Sequence, residues 1–298
     1  MKKRIHIFIA LGIAIIAFIL GSIFDQQISS KLYIPNFTFG HFVAALGLLV
    51  SYGFIALYSG VLFNSSLRLK KSFKIILSIL SFIILIGTIY FSGDIIFDAN
   101  GFNKEGIKYK IIGMSATAIF SIFIFYFGYK FSKDNPNDKT WLFSLIILIM
   151  ILLCLLIGAV IIKDIFHRPR FRTVYLNIEG VEFHNWWEPF KEYKNYITDS
   201  ITKEEFKSFP SGHATISMAS IIGFIYLFII NSNMKKYQTF LFYIGYFYSL
   251  FISLTRILSG AHFLSDVAFG SIISLTILLI GNEIILKNKL IEEFIWKK

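Results

Sequence analysis

The chain has 298 residues, of which 56% are hydrophobic, 18% aromatic and only 16% charged, with a mean hydropathy of +0.68. An ordinary soluble domain has roughly 45–50% apolar and about 25% charged residues, so this composition excludes the soluble class. The 34 phenylalanines and 5 prolines also exclude a disordered or collagen-like chain. A net charge of +11 would indicate a nucleic-acid partner in a soluble protein, but here the composition predicts an integral membrane protein and no nucleic acid.

Apolar runs long enough to cross a bilayer organise the chain. A membrane-spanning helix needs about 17–25 mostly apolar residues, because the hydrocarbon layer is roughly 30 Å thick. Lipid offers no hydrogen-bond partner to the backbone, so each run is expected to be helical, and none alternates like a barrel strand. The sequence therefore predicts an all-α, polytopic membrane helix bundle with about eight transmembrane helices. The runs are 5–24, 41–63, 73–92, 110–130, 141–162, 212–230, 238–255 and 264–286.

The distribution of basic residues predicts how the helices are oriented. Lysine and arginine are concentrated in alternate connections, beginning with residues 2–4 and ending after 286, which places those connections and both termini in the cytoplasm. The first run lacks a small-residue cleavage site before Asp25 and is expected to be an uncleaved anchor. Because Ile, Lys, Phe and Asn are abundant, we expect a bacterial cytoplasmic (inner) membrane. The predicted organisation is an N-terminal helix pair, 1–64, and a six-helix core, 65–298, with an outer loop at about 174–209.

A cluster of basic residues follows the fifth apolar run. Lys163, Arg168, Arg170 and Arg172 lie within ten residues, at a boundary that the charge distribution places on the outer side. This contradicts the positive-inside trend, so we expect an anionic group to compensate these charges. Snorkelling of the cations to anionic lipid headgroups is the alternative.

The motif Pro-Ser-Gly-His, residues 210–213, precedes the sixth run. The first N–H groups of a helix favour an anion, and Gly212 permits a ligand to approach closely. The same residues are also typical of a simple helix cap. The motif therefore indicates either a cap or an anion site with His213 beside it.

A third cluster joins the seventh and eighth runs. Arg256 is followed by His262 and Asp266, which are four residues apart and would lie on one face of a helix, within hydrogen-bonding reach. A carboxylate-held imidazole is a better nucleophile or base, although a single membrane histidine is more often structural. With the first two clusters, this set is suited to phosphoryl transfer. The sequence has no ligand set at metal-binding spacing, so we expect no metal and no other cofactor.

The three clusters resemble the signature of the type 2 phosphatidic acid phosphatase superfamily, which includes the vanadium haloperoxidases. The first motif of the family is Lys followed seven positions later by Arg-Pro. Lys163 and Arg170 match it, but Phe171 replaces the proline. The second motif, Pro-Ser-Gly-His, is unchanged at 210–213.

The third motif of the family is Ser-Arg, five residues, His, three residues and Asp. Arg256, His262 and Asp266 match it, and Thr255 replaces the serine. The resemblance covers roughly residues 73–286. It leaves the first two apolar runs unexplained, and they carry no recognisable functional cluster.

The resemblance implies a metal-independent phosphatase. His262 would attack phosphorus to form a phosphohistidine, Asp266 would hold the imidazole tautomer, and His213 would protonate the leaving oxygen and then activate water. Because the two histidines need different protonation states, a bell-shaped pH profile is expected. The phosphate ligands implied by the resemblance are the side chains of Lys163, Arg170 and Arg256 and the backbone amides of Ser211 and Gly212.

The expected position of the site, at the outer interface and among helices, favours a lipid phosphate or pyrophosphate as substrate. Phosphatidate, phosphatidylglycerophosphate and undecaprenyl pyrophosphate all fit this class. Three alternatives stay open on the sequence. They are a lipid-linked phosphotransferase that uses the same phosphohistidine, a haloperoxidase with the same anion pocket, and a non-catalytic membrane transporter or scaffold.

Overall fold

A computed structural model describes residues 2–97, 107–133, 139–198 and 201–287. Within these ranges the chain is mostly helical and contains no strand, which confirms the predicted all-α bundle. Among the described residues, eight stretches are long and apolar enough to cross a bilayer, so the chain is a multi-pass membrane protein. These stretches are Arg4–Leu32, Thr38–Ser66, Lys71–Gly93, Ile111–Ser132, Thr140–Val174, Gly212–Ile229, Ser232–Leu258 and Leu264–Ile285.

The helices follow the apolar runs but are longer and more interrupted than the runs suggest. A π-helix, Leu156–Ile161, lies between α6 and α7, and short 3-10 helices occur at Lys191–Tyr196, Lys203–Phe206, Leu227–Ile229 and Ser232–Tyr237. The α-helices are α1 (Lys2–Leu32), α2 (Thr38–Leu46), α3 (Leu49–Ser66), α4 (Lys71–Phe97), α5 (Ile107–Ser132), α6 (Thr140–Leu155), α7 (Lys163–Phe166), α8 (Phe171–Val174), α9 (Gly212–Ile225), α10 (Gln238–Leu258) and α11 (Leu264–Lys287).

One difference from the sequence prediction concerns α1. The first apolar run ends at residue 24, which placed Asp25 in a connection, but α1 continues to Leu32. Asp25 therefore lies inside the helix, and its side chain is only 2% exposed. The predicted helix end before Asp25 is wrong, because a charge can remain in a membrane helix when another element pairs with it.

The chain forms two compact units, and the first consists of residues 1–44, 153–218 and 247–276. A buried cluster of Ala214, Ile257 and Val267 joins the start of α9, the end of α10 and the start of α11. All the residues that the sequence predicted for the site belong to this unit. Apolar packing at these helix ends therefore brings together parts of the chain that are far apart in sequence.

The described part of the segment 175–211, residues 175–198 and 201–211, folds within the same unit. Its own core consists of Val181, Phe190, Tyr193 and Phe206. Trp186 stacks on Phe209, and its indole N–H donates a hydrogen bond to Ser22 Oγ of α1 at 2.9 Å. The segment is thus packed against α1, and its C-terminal part leads directly into α9.

The second unit consists of residues 45–152, 219–246 and those from 277 onward. Within it α3 and α5 pack closely, because Gly60 lies against the backbone of Phe125 and Tyr129. Small residues at a crossing let two membrane helices approach, which replaces the hydrophobic driving force that lipid removes. Tyr58, which is fully buried, donates a hydrogen bond to the carbonyl oxygen of Gly223 at 2.8 Å.

Candidate active site

The predicted site residues lie at the ends of helices. Lys163 begins α7 directly after the π-helix, and Arg170 immediately precedes α8. The others lie at the start of α9, near the end of α10 and around the start of α11. Five of these side chains are 3% exposed or less: Arg170, Ser211, Arg256, His262 and Asp266.

The structure brings three cations and two histidines within reach of one another's charges. His213 interacts electrostatically with Arg256, His262, Lys163 and Arg170. Lys163 interacts in turn with Arg170, Glu204 and Arg256. Cations gathered in a buried region repel one another, and a bound anion relieves that repulsion. The arrangement is therefore suited to holding an anion between the two imidazoles.

Close packing between the π-helix and α9 places Lys163 beside the first turn of α9. A Cβ atom built on Gly212 would lie 3.2 Å from Ala159 Cβ and 3.5 Å from Lys163 Cε. Glycine at 212 therefore allows this approach. The wide turn of a π-helix is frequent at functional sites, and here it directly precedes the lysine.

The start of α9 differs in one detail from the expectation. Ser211 caps the helix, because its Oγ accepts the N–H of Ala214 at 3.3 Å. Its own backbone N–H donates to the carbonyl oxygen of Asp266 at 3.0 Å. The Ser211 amide thus already has an acceptor within the protein. The amides of Gly212 and His213 are in the first turn, where N–H groups have no partner inside the helix.

The tautomer of His262 follows from its neighbours. Its Nδ1 lies 2.7 Å from the carbonyl oxygen of Ser208, which can only accept a hydrogen bond, so we assign the imidazole hydrogen to Nδ1. Its Nε2 is buried and has no hydrogen-bond partner among the described residues. Nε2 therefore carries an unshared electron pair.

The surroundings of His262 keep the imidazole neutral. Burial lowers the pKa of His262 to about 3 from an ordinary 6.5. The positive charges of Arg170 and Lys163 also lower this pKa, whereas Asp266 raises it. The ring is therefore uncharged at neutral pH. A neutral imidazole with a free Nε2 is the form that acts as a nucleophile.

The carboxylate of Asp266 lies beside the His262 imidazole without a direct hydrogen bond, because the helix begins at Leu264 and His262 lies before it. The distance from His262 Nδ1 to Asp266 Oδ2 is 3.8 Å, which is too long for a hydrogen bond. The Asp266 carboxylate accepts hydrogen bonds from the Ser208 hydroxyl at 2.5 Å and from the backbone N–H of Phe263 at 2.8 Å. Ser208 thus connects the two residues, since its hydroxyl contacts Asp266 and its carbonyl orients the imidazole.

Arg168 is a buried residue whose role the sequence did not predict. Its Nη1 donates to Asp266 Oδ1 at 2.6 Å and its Nη2 to Asp25 Oδ2 at 2.9 Å. The guanidinium also lies over the Phe263 ring, 3.9 Å from its centre. Protein carboxylates therefore neutralise Arg168. A carboxylate following twenty apolar residues, Asp25, was the signal that a buried cation needed a partner.

The N-terminal helices also reach His213. Its Nε2 lies 3.2 Å from the carbonyl oxygen of Ala44 in α2. The carbonyl accepts a hydrogen bond from Nε2, which leaves Nδ1 as the other proton-transfer atom. The second apolar run therefore contacts the site, although its sequence carries no recognisable functional cluster.

Glu205 organises the region around Arg170. The backbone carbonyl oxygen of Glu205 accepts a hydrogen bond from the backbone N–H of Arg170 at 2.9 Å. Its carboxylate binds the guanidinium of Arg172 and the hydroxyl of Thr173. Burial alone would raise the pKa of Glu205, but Arg170 and Arg172 outweigh it and lower the pKa to about 2 from 4.5.

We expect Glu205 to stabilise the fold above pH 4.5 and to lose this contribution as the pH falls toward 2. A lowered carboxyl pKa means that the unfolded chain takes up the proton first, and the shift corresponds to roughly 3 kcal/mol. The thermal midpoint of Glu205→Gln should lie well below that of the wild type at pH 7, and the difference should shrink below pH 4.5. The exposed Glu192→Gln is the control. A difference in thermal midpoint between Glu205→Gln and the wild type that does not change with pH would contradict this stabilising role of the ionised Glu205.

Within the described residues, no group of three or more His, Cys, Asp or Glu side chains is arranged to hold a metal ion. Three cations, which are Lys163, Arg170 and Arg256, converge on the two imidazoles. Such a set attracts anions rather than metal cations.

Comparison with known proteins supports the resemblance. Residues 144–289 match the family model described as the PAP2 superfamily, which confirms the family indicated by the three motifs. The match includes every predicted site residue, whereas α1 to α5 lie outside it. No curated protein and no solved structure matches the chain.

Proposed function

Because residues 144–289 match the PAP2 superfamily, which suggests phosphatase activity, we propose that this membrane protein hydrolyses a lipid phosphate or pyrophosphate through a phosphohistidine. The observation that carries the proposal is the neutral, buried His262, whose Nε2 has no hydrogen-bond partner in the described chain and which interacts with Arg170 and Lys163. Such an imidazole is placed for attack on a phosphorus atom held by those cations.

In the first step the electron pair of His262 Nε2 attacks phosphorus. A P–N bond forms, the bond from phosphorus to the leaving oxygen breaks, and protonated His213 gives its proton to that oxygen. The imidazole of His262 becomes positively charged. The Ser208 carbonyl, which accepts its Nδ1–H, and the Asp266 carboxylate at 3.8 Å stabilise this charge.

In the second step water releases the phosphate. His213, now neutral, takes a proton from the water as its oxygen bonds to phosphorus, the P–N bond breaks, and the electron pair returns to Nε2 of His262. Lys163, Arg170 and Arg256 hold the phosphoryl oxygens throughout. Because these ligands are fixed before the reaction, they stabilise the charge that develops in the transition state.

We further propose that the substrate is a lipid and that the site faces the outer side of a bacterial inner membrane. The site residues lie at the ends of membrane-spanning helices, so a phosphate can reach them while its acyl or prenyl chains stay in the bilayer. Lysine and arginine are in excess in the connections on the opposite side of the membrane from the site, which begin with residues 2–4 and end after 286. This excess supports an orientation with both termini in the cytoplasm.

A substrate panel tests the proposal. Purified protein in detergent is given phosphatidate, phosphatidylglycerophosphate or undecaprenyl pyrophosphate, with a soluble phosphomonoester for comparison, in the presence of a chelator. We expect phosphate release from at least one lipid, faster than from the soluble ester and unchanged by the chelator.

Other outcomes separate the alternatives. Transfer of phosphate to a lipid or sugar hydroxyl, with no free phosphate, would identify a phosphotransferase. Absence of turnover on every substrate would favour a transporter or scaffold, and loss of turnover in chelator would contradict the metal-independent mechanism.

A further inference from the structure

We propose that Asp25 of α1 is a positioning residue for the reaction, which holds Arg168 and the start of α11 so that Asp266 and His262 keep their places. The inference rests on the proposed hydrolase. It assigns a role to a helix outside the segment that matches the family.

Both carboxylate oxygens of Asp25 are used by residues of the site region. Oδ1 accepts the backbone N–H of Ser265 at 3.0 Å, and Oδ2 accepts Arg168 Nη2 at 2.9 Å as well as the hydroxyl of Ser265. Asp25 is 2% exposed. A carboxylate inside a membrane-spanning helix is costly, so its retention in a saturated set of contacts indicates a specific task.

The first task of Asp25 is to cap α11. This helix begins at Leu264, so Phe263 occupies the position where a side-chain acceptor is normally found, and phenylalanine has none. Asp25 supplies that acceptor from another helix by taking the Ser265 N–H. Asp266 takes the Phe263 N–H, as the third residue of a capping box does. The turn that directly follows His262 is thus held from both sides.

The second task of Asp25 is to hold the guanidinium of Arg168. Arg168 lies between two carboxylates, with Nη2 on Asp25 and Nη1 on Asp266. The guanidinium also donates through Nε to the carbonyl oxygen of His184 at 2.8 Å and through Nη1 to Ser265 Oγ at 2.9 Å, and Asp25 is the acceptor of Nη2. Asp25 thus holds the side of the guanidinium opposite Asp266, and through Asp266 and Ser208 it contributes to the placement of His262. Reacting groups need placement to within about 0.5 Å, so small shifts here affect the rate.

The close packing around Gly21 supports a direct contact between α1 and α11. Gly21 is one helical turn before Asp25, and a Cβ atom built on it would lie 2.9 Å from Ser265 Cα. Gly12, in the same helix, has no atom within 4 Å of such a Cβ. The two glycines offer a matched pair of variants, because Gly21→Ala pushes α1 away from Ser265 while Gly12→Ala changes nothing around the site.

The main test is Asp25→Asn, which keeps the shape of the side chain but removes its charge. We expect kcat on the lipid phosphate to fall on the order of 10- to 100-fold, because misplacement of the reacting groups slows the chemical step. Asp25 contacts Arg168 and Ser265 rather than the proposed phosphate ligands, so KM and the inhibition constant of inorganic phosphate should stay within about twofold. A lost phosphate ligand, as in Arg256→Gln, should raise both constants.

The glycine variants keep the inference testable if Asp25→Asn does not fold. We expect Gly21→Ala to lower kcat with little change in KM, and Gly12→Ala to behave as the wild type. Wild-type kcat in Asp25→Asn or in Gly21→Ala would overturn the positioning role, as would a loss of kcat matched by an equal rise in KM. A wild-type protein that releases no phosphate would instead overturn the proposed function, on which this inference rests.

Discussion

Replacing His262 with alanine is expected to lower kcat/KM by about 10³-fold or more, because the nucleophile itself is removed. The wild type mixed with labelled lipid phosphate and quenched during turnover should contain a phosphoryl group that is labile in acid, as a phosphohistidine is. His262→Ala should contain none. Both measurements concern the same atom, Nε2, which is buried and has no hydrogen-bond partner in the described structure.

A second histidine of the same unit is the control for His262→Ala. The ring of His184 lies against Phe190, with ring centres 4.7 Å apart, and the proposed mechanism does not use it. His184→Ala should therefore keep its activity within about threefold of the wild type, as is usual for a substitution outside the site. If His262→Ala retained more than about a hundredth of the wild-type rate while folding normally, His262 would not be the nucleophile.

The second large effect is expected for Arg168→Met, which should lower the free energy of unfolding by about 3–5 kcal/mol. Methionine fills much of the same volume but leaves the carboxylates of Asp25 and Asp266 buried without their shared cation. Heat unfolding of the purified protein in detergent measures the loss. Arg168→Lys should recover only part of it, because an ammonium group cannot reproduce the planar fork that contacts both carboxylates.

A double variant tests the origin of this effect. If the loss comes from uncompensated charge, Arg168→Met combined with Asp25→Asn should be more stable than Arg168→Met alone. Lys203→Met is the matched control, because Lys203 is 49% exposed in its pair with Asp164 and such surface pairs contribute at most about 1 kcal/mol. Equal losses for Arg168→Met and Lys203→Met would contradict the central place of Arg168 in the buried network.

Local chemistry explains why the three motifs were found in sequence while their partners were not. Charged residues and histidines are unusual at the ends of apolar runs, so the sequence alone identifies those of the site. They are Lys163, Arg170, His213, Arg256 and His262. Ser208 acts on His262 through its carbonyl oxygen, which every residue has, and no side-chain pattern could identify it.

Distance along the chain hides the other partners. Asp25 and Ser265 are separated by 240 residues, and only packing within the first unit brings them together. The same packing decides that Arg168 pairs with Asp25 and Asp266 and that Arg172 pairs with Glu205, while the charges of Lys163 and Arg170 act on the two histidines. Four cations that looked alike in sequence therefore have different tasks.

The amino-acid sequence by itself determined the number of membrane-spanning helices, because a bilayer requires a minimum apolar length, and it determined the chemical groups available for phosphoryl transfer. Tertiary structure decided which nitrogen of His262 is free, that Ser208 connects His262 with Asp266, and that α1 supplies Asp25. These features depend on distances of about 3 Å between residues far apart in the chain, and such distances follow from the packing of whole helices rather than from local composition.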